Sequence, residues 1–156
     1  MRLTPLLALA RTLGPGALKT VARVAPLLAT HPEAVRQGRQ LLEQLAQARA
    51  GRSPEERLRR TVAALRGEAV RARDRAGDGA GGGDAASSAV SADRAAEWVR
   101  QADSLSTALA LVELRRGADR RRDLDRVQAR TDALFAEVFT ATVGDTGRAP
   151  DPAPGP

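Results

Sequence analysis

His31 is the only histidine in this 156-residue chain, and cysteine is absent. Zinc sites of the usual kinds draw on several His or Cys ligands, so they are excluded, and thiolate chemistry goes with them. A lone histidine also lacks the partner that orients a catalytic imidazole. Beside Pro32, His31 reads as a capping or solvent-facing residue. Paired carboxylates can catalyse without histidine. Glu55 and Glu56, however, are better explained as helix-capping residues, and Asp119, Asp123 and Asp125 stand among arginines as solvated or ion-paired groups. The glycine-rich run from Gly77 to Asp84 lacks the G-x-x-x-x-G-K-[ST] order of a phosphate loop, and no apolar strand precedes it. It reads as a tether. No catalytic, cofactor-binding or metal-ligating residue is assigned. An enzyme is not expected, no cofactor is implied, and no small-molecule substrate is evident.

Arginine is the residue type that invites a binding reading. Five arginines fall between positions 115 and 122, and Arg115, Arg116, Arg120, Arg121 and Arg122 are candidate contacts for phosphate or another anion. Asp119 and Asp123 dilute the cluster. A second run, Arg57, Arg59, Arg60, Arg66, Arg71, Arg73 and Arg75, surrounds an apolar seam that could lie against DNA. No helix-turn-helix spacing supports it, and no interleaved aromatics offer stacking on bases. Residues 1–32 hold no acid but include Arg2, Arg11, Lys19 and Arg23 among leucine-rich amphipathic segments, a pattern that suits an anionic membrane surface.

The net charge of +6 is discounted in part. Only Lys19 among the 25 basic residues is lysine, and Ile, Asn, Tyr and Cys are missing. This bias matches a GC-rich, bacterial genome, so codon usage explains some of the arginine. The remaining asymmetry is real: residues 1–76 carry +9 and residues 77–156 carry −3.

The elements that must position these residues are helices. Apolar content is 42%, dominated by Ala and Leu, and the only aromatics are Trp98, Phe135 and Phe139. That balance favours helix over strand. The expected fold class is all-α: several short helices in a basic region over 1–76, a flexible glycine-rich linker over 77–88, a long coiled-coil-like antiparallel helical hairpin over 89–143, and a disordered proline-rich tail over 144–156. In the first region, Leu3, Leu6, Leu7, Ala10 and Leu13 make one stripe, ended by Gly14-Pro15-Gly16. Leu18, Val21, Ala25 and Leu28 make a second, which Pro26 should kink or end near Ala25. Thr30-His31-Pro32-Glu33 resembles a capping box opening a third helix, with Val35, Leu41, Leu42 and Leu45 inward and Gly51 as its stop. Ser53-Pro54-Glu55-Glu56 is the best start signal in the chain. Its helix, to about Ala76, carries the seam Leu58, Val62, Leu65, Ala69 and Ala72.

Beyond the linker, Ser91 caps a helix with the seam Ala95, Trp98, Ala102, Leu105, Leu109 and Val112. Continued past Val112, that register meets only charge. A new seam, Leu124, Val127, Thr131, Leu134, Val138 and Ala141, resumes one residue out of phase, widened by Phe135 and Phe139. Gly117 suits a helix end, and Asp119 suits the cap of the next helix. The spacing therefore predicts two arms, Ser91–Arg116 and Arg120–Thr142, each about 35–40 Å long.

Such faces imply helix-to-helix contact. A non-enzymatic interaction or adaptor protein is expected, self-associating or bound to a protein partner, with Trp98, Leu105, Leu109, Phe135 and Phe139 as candidate interface residues. Peripheral membrane association through the first ~30 residues and association with DNA are the alternatives. No uncharged stretch reaches the ~20 residues of a membrane span, and the N-terminus makes a poor signal peptide, so a cytoplasmic location, or one at the membrane periphery, is expected.

Overall fold

The computed structural model describes residues 10, 15–30, 32–48, 53–78 and 90–146. The stripe Leu3–Leu13 apart from Ala10, His31, Gly51, most of the glycine-rich run and the proline-rich tail lie outside the described residues. Apart from the helical Ala10, the regular structure among the described residues lies in five helices: α1 (Pro15–Thr30), α2 (Pro32–Ala48), α3 (Pro54–Asp78), α4 (Ala92–Glu113) and α5 (Gly117–Thr146). There is no strand among the described residues.

The first three helices each begin on a proline, the position where its fixed φ helps and its missing N–H costs nothing. Ser53 and Ser91 are true caps. The Glu56 N–H donates to Ser53 Oγ at 3.1 Å, and the Arg94 N–H donates to Ser91 Oγ at 3.2 Å. α1 has no acid in its own first turn. Asp132 of α5 stands there instead: a Cβ added to Gly16 would lie 3.2 Å from its carboxyl group. A carboxylate at that end complements the helix dipole.

Three boundaries differ from the sequence expectation. α1 runs through Pro26 to Thr30 and does not end near Ala25. Pro26 and Ala22 are both exposed, so the proline sits on the outer side of the helix. α3 absorbs Gly77 and Asp78, and α5 extends past Thr142 to Thr146. Asp119 does not cap α5. The turn is made by Gly117, whose φ of +64° only glycine adopts freely, and Asp119 lies inside the first helical turn, paired with Arg122.

The register of α1 also shifts. Its buried positions are Ala17, Val21 and Val24, while Leu18 is exposed. The α3 and α4 seams hold in full, while Val35 of α2 and Leu124 and Ala141 of α5 are only partly buried. Leu58, Val62, Leu65, Ala69 and Ala72 of α3 are buried, as are Ala95, Trp98, Ala102, Leu105, Leu109 and Val112 of α4. α3 and α4 form the most extensive helix pair. They run in opposite directions, as Arg59 pairs with Glu113 and Arg66 with Asp103. α5 crosses all the others and carries Leu134, Phe135, Val138, Phe139 and Val143 into the same core. Phe135 and Phe139 lie 5.4 Å apart between ring centroids. Residues on both sides of the glycine-rich run thus share one core. Thr131 sits in the α5 seam at little cost, because its hydroxyl donates to the Val127 carbonyl at 2.9 Å.

Candidate interaction surface at the α4–α5 turn

α4 closes tightly. The N–H groups of Leu114 and Arg115 donate to the carbonyls of Leu111 and Val112 at 3.2 and 3.1 Å, and Gly117 then turns the chain into α5. This ending leaves Leu114 81% exposed and Leu111 56% exposed. With Leu18 they are the large exposed hydrophobic side chains among the described residues. Sequence reasoning missed both. The available signal was their place off the Ala95–Val112 seam, which leaves them nothing within the chain to face.

The five candidate arginines of this turn divide into two groups. Arg115 pairs with Asp123 at 3.2 Å, Arg122 with Asp119 at 2.9 Å, and Arg120 reaches back to Glu55 of α3 at 2.9 Å. The Arg120 Nε is buried without a hydrogen-bond partner among the described residues. Glu55 is held below the usual carboxylate range, first by its own backbone N–H, with the charge of Arg120 and the Ser53 hydroxyl adding to it against the effect of burial. Arg116 and Arg121 are exposed, and no ion pair engages either among the described residues. Two leucines and two unengaged guanidiniums therefore fall within eleven residues.

Elsewhere most arginines are neutralised locally, Arg23, Arg57 and Arg130 having no ion pair among the described residues. On α3, Arg59 pairs with Glu113, Arg60 with Glu56, Arg66 with Asp103, Arg73 with Asp74, and both Arg71 and Arg75 with Glu68. The positive face that composition suggested for α3 is largely a set of pairs. Glu68 is the one buried carboxylate among the described residues, at 7% exposure, and sits at a polar cleft of about 170 Å³ where Arg71 also donates to Gln44 of α2 at 3.1 Å.

The candidate interface residues lie elsewhere. Trp98, Leu105, Leu109, Phe135 and Phe139 are all buried within the chain, where they join the common core. Their helix-to-helix contacts are made between helices of this chain. Trp98 finds an acceptor for its indole N–H in Glu137 of α5.

No family model, curated protein or solved structure matches this chain. The arrangement itself must carry the reading. No group of three or more His, Cys, Asp or Glu able to hold a metal occurs among the described residues, and no described helix is long and apolar enough to cross a membrane. What the turn offers chemically is apolar contact flanked by fixed positive charge.

Proposed function

We propose that this protein is a non-enzymatic helical interaction module, that α4 and α5 form a coiled-coil-like hairpin, and that the turn of that hairpin is its contact surface. The partner is an acidic protein surface. The observation that supports this is the exposure of Leu114 and Leu111 beside Arg116 and Arg121. Arginine and aliphatic anchors of this kind favour a partner with carboxylates around a small apolar depression. Self-association through the same turn is disfavoured, because it brings the arginines of two copies together. Membrane association through α1 has less to draw on, since Ala17, Val21 and Val24 already face the core.

Affinity capture with the full chain tests the reading. A partner held by the native protein should be lost, by tenfold or more, in the Arg116→Glu/Arg121→Glu double variant. It should be retained by an Arg73→Glu variant, which alters a charge on α3. Equal retention by all three proteins would contradict the proposal.

A further inference from the structure

A second feature lies at the opposite end of α4. A cleft of about 420 Å³, a size within the range of small-molecule sites, is lined by residues of α1, α4 and α5 together with Val90. Its apolar lining comes from Val90, Trp98, Ala136 and Ala141. Its charged lining is Arg23, Arg94 and Glu137. Glu137 Oε2 accepts from Arg94 at 2.7 Å and from the Trp98 indole at 3.2 Å, so that carboxylate is already committed. Arg23 is exposed and has no ion pair among the described residues. Two guanidiniums against one carboxylate leave an excess positive charge at the mouth of an apolar-walled cleft.

That combination selects among ligands. A cation is repelled by Arg23 and finds Glu137 occupied. A neutral apolar molecule would cover Arg23 without giving it an acceptor, which costs free energy. A molecule with an aliphatic body and one anionic head meets both walls, and a guanidinium holds a carboxylate through paired N–H donors. We propose that this cleft binds a soluble single-chain anionic amphiphile, with its carboxylate on Arg23 and its chain over Ala136 and Ala141, the partly exposed apolar residues of the lining. The site is separate from the α4–α5 turn: twenty residues of helix divide Arg94 from Leu114, about 30 Å at 1.5 Å per residue.

Trp98 is the only tryptophan, so its emission reports on the cleft without labelling. The full chain is titrated with decanoate, decanol and decyltrimethylammonium below their aggregation thresholds, by Trp98 emission and in parallel by isothermal titration calorimetry. The expected result is saturable one-to-one binding of decanoate, at least tenfold tighter than the neutral or cationic chain. Arg23→Gln, an exposed change that should leave helicity intact, should weaken decanoate at least tenfold and leave decanol unaltered. Ala141→Phe, which fills the cleft, should abolish binding. Should that variant lose its helicity, the Arg23→Gln comparison decides alone. The proposal is overturned if no saturable heat accompanies decanoate, if decanol binds as well, or if Arg23→Gln changes nothing. It is also overturned if Arg23-dependent flotation with phosphatidylglycerol vesicles occurs without decanoate binding, which would identify a bilayer as the ligand.

Discussion

The indole N–H of Trp98 donates to Oε2 of Glu137 across 3.2 Å, and a guanidinium N–H of Arg94 donates to that same oxygen at 2.7 Å. One carboxylate on α5 thus satisfies the polar edge of the largest core side chain and an arginine one turn before it on α4. Glu137→Leu removes the acceptor and leaves a buried indole N–H unpaired, a loss of about 1–3 kcal/mol. Glu137→Gln keeps an acceptor and should lose less. Urea unfolding of both variants measures the difference, and equal midpoints would show that the bond contributes nothing.

Gly38 of α2 lies against α5. A Cβ placed there would sit 3.4 Å from both the Phe139 ring and a Val143 methyl, an ordinary contact with no room beyond it. Gly38→Ala should therefore be neutral or stabilising, by up to about 1 kcal/mol from helix propensity. Gly38→Leu should destabilise by about 1–3 kcal/mol or more through overpacking. Thermal unfolding followed by circular dichroism separates the two signs.

Glu55 links acid sensitivity to the α3–α5 contact. Because its folded pKa is lowered, its contribution to stability is present above the unfolded glutamate value of about 4.3 and is lost as pH falls through the folded value. Glu55→Gln should lower Tm at neutral pH. The gap to the native protein should narrow as pH falls from about 5 through the lowered folded value. A gap that stays constant across that range would contradict the assignment.

Leu109 and Leu114 stand five residues apart with opposite roles. Leu109 is buried in the α4 seam, and Leu114 is the most exposed large hydrophobic side chain among the described residues. Leu109→Ala should cost about 2–5 kcal/mol, whereas Leu114→Ser should change folding stability by no more than about 0.5 kcal/mol. Chemical denaturation of the two variants is a direct comparison.

Much of this was legible in the residues. The 3–4 spacing of Leu58–Ala72 and Ala95–Val112 marked the buried faces of α3 and α4, since only those positions repeat on one side of a helix. Ser53 and Ser91 announced their helices because few residues can satisfy a first-turn N–H. Less could be read where the answer depends on distant groups. A seam does not name its partner, so the extensive α3–α4 contact was hidden. Asp119 and Asp123 visibly dilute the arginine cluster, but Glu55, sixty-five residues before Arg120, could not be seen to lie within its reach. Pro26 marks a kink or an end on sequence alone, and α1 continues past it to Thr30 with Pro26 on its exposed side.

The central claim is that the α4–α5 turn is the contact surface, and photo-crosslinking from position 114 tests it most directly. A benzophenone amino acid in place of Leu114, in the native host, should give a discrete adduct with a protein other than this chain. The adduct should disappear with Arg116→Glu/Arg121→Glu, and the same probe at Ala129, exposed farther along α5, should not form it. No adduct from position 114, an adduct only with a second copy, or equal adducts from both positions would contradict the account.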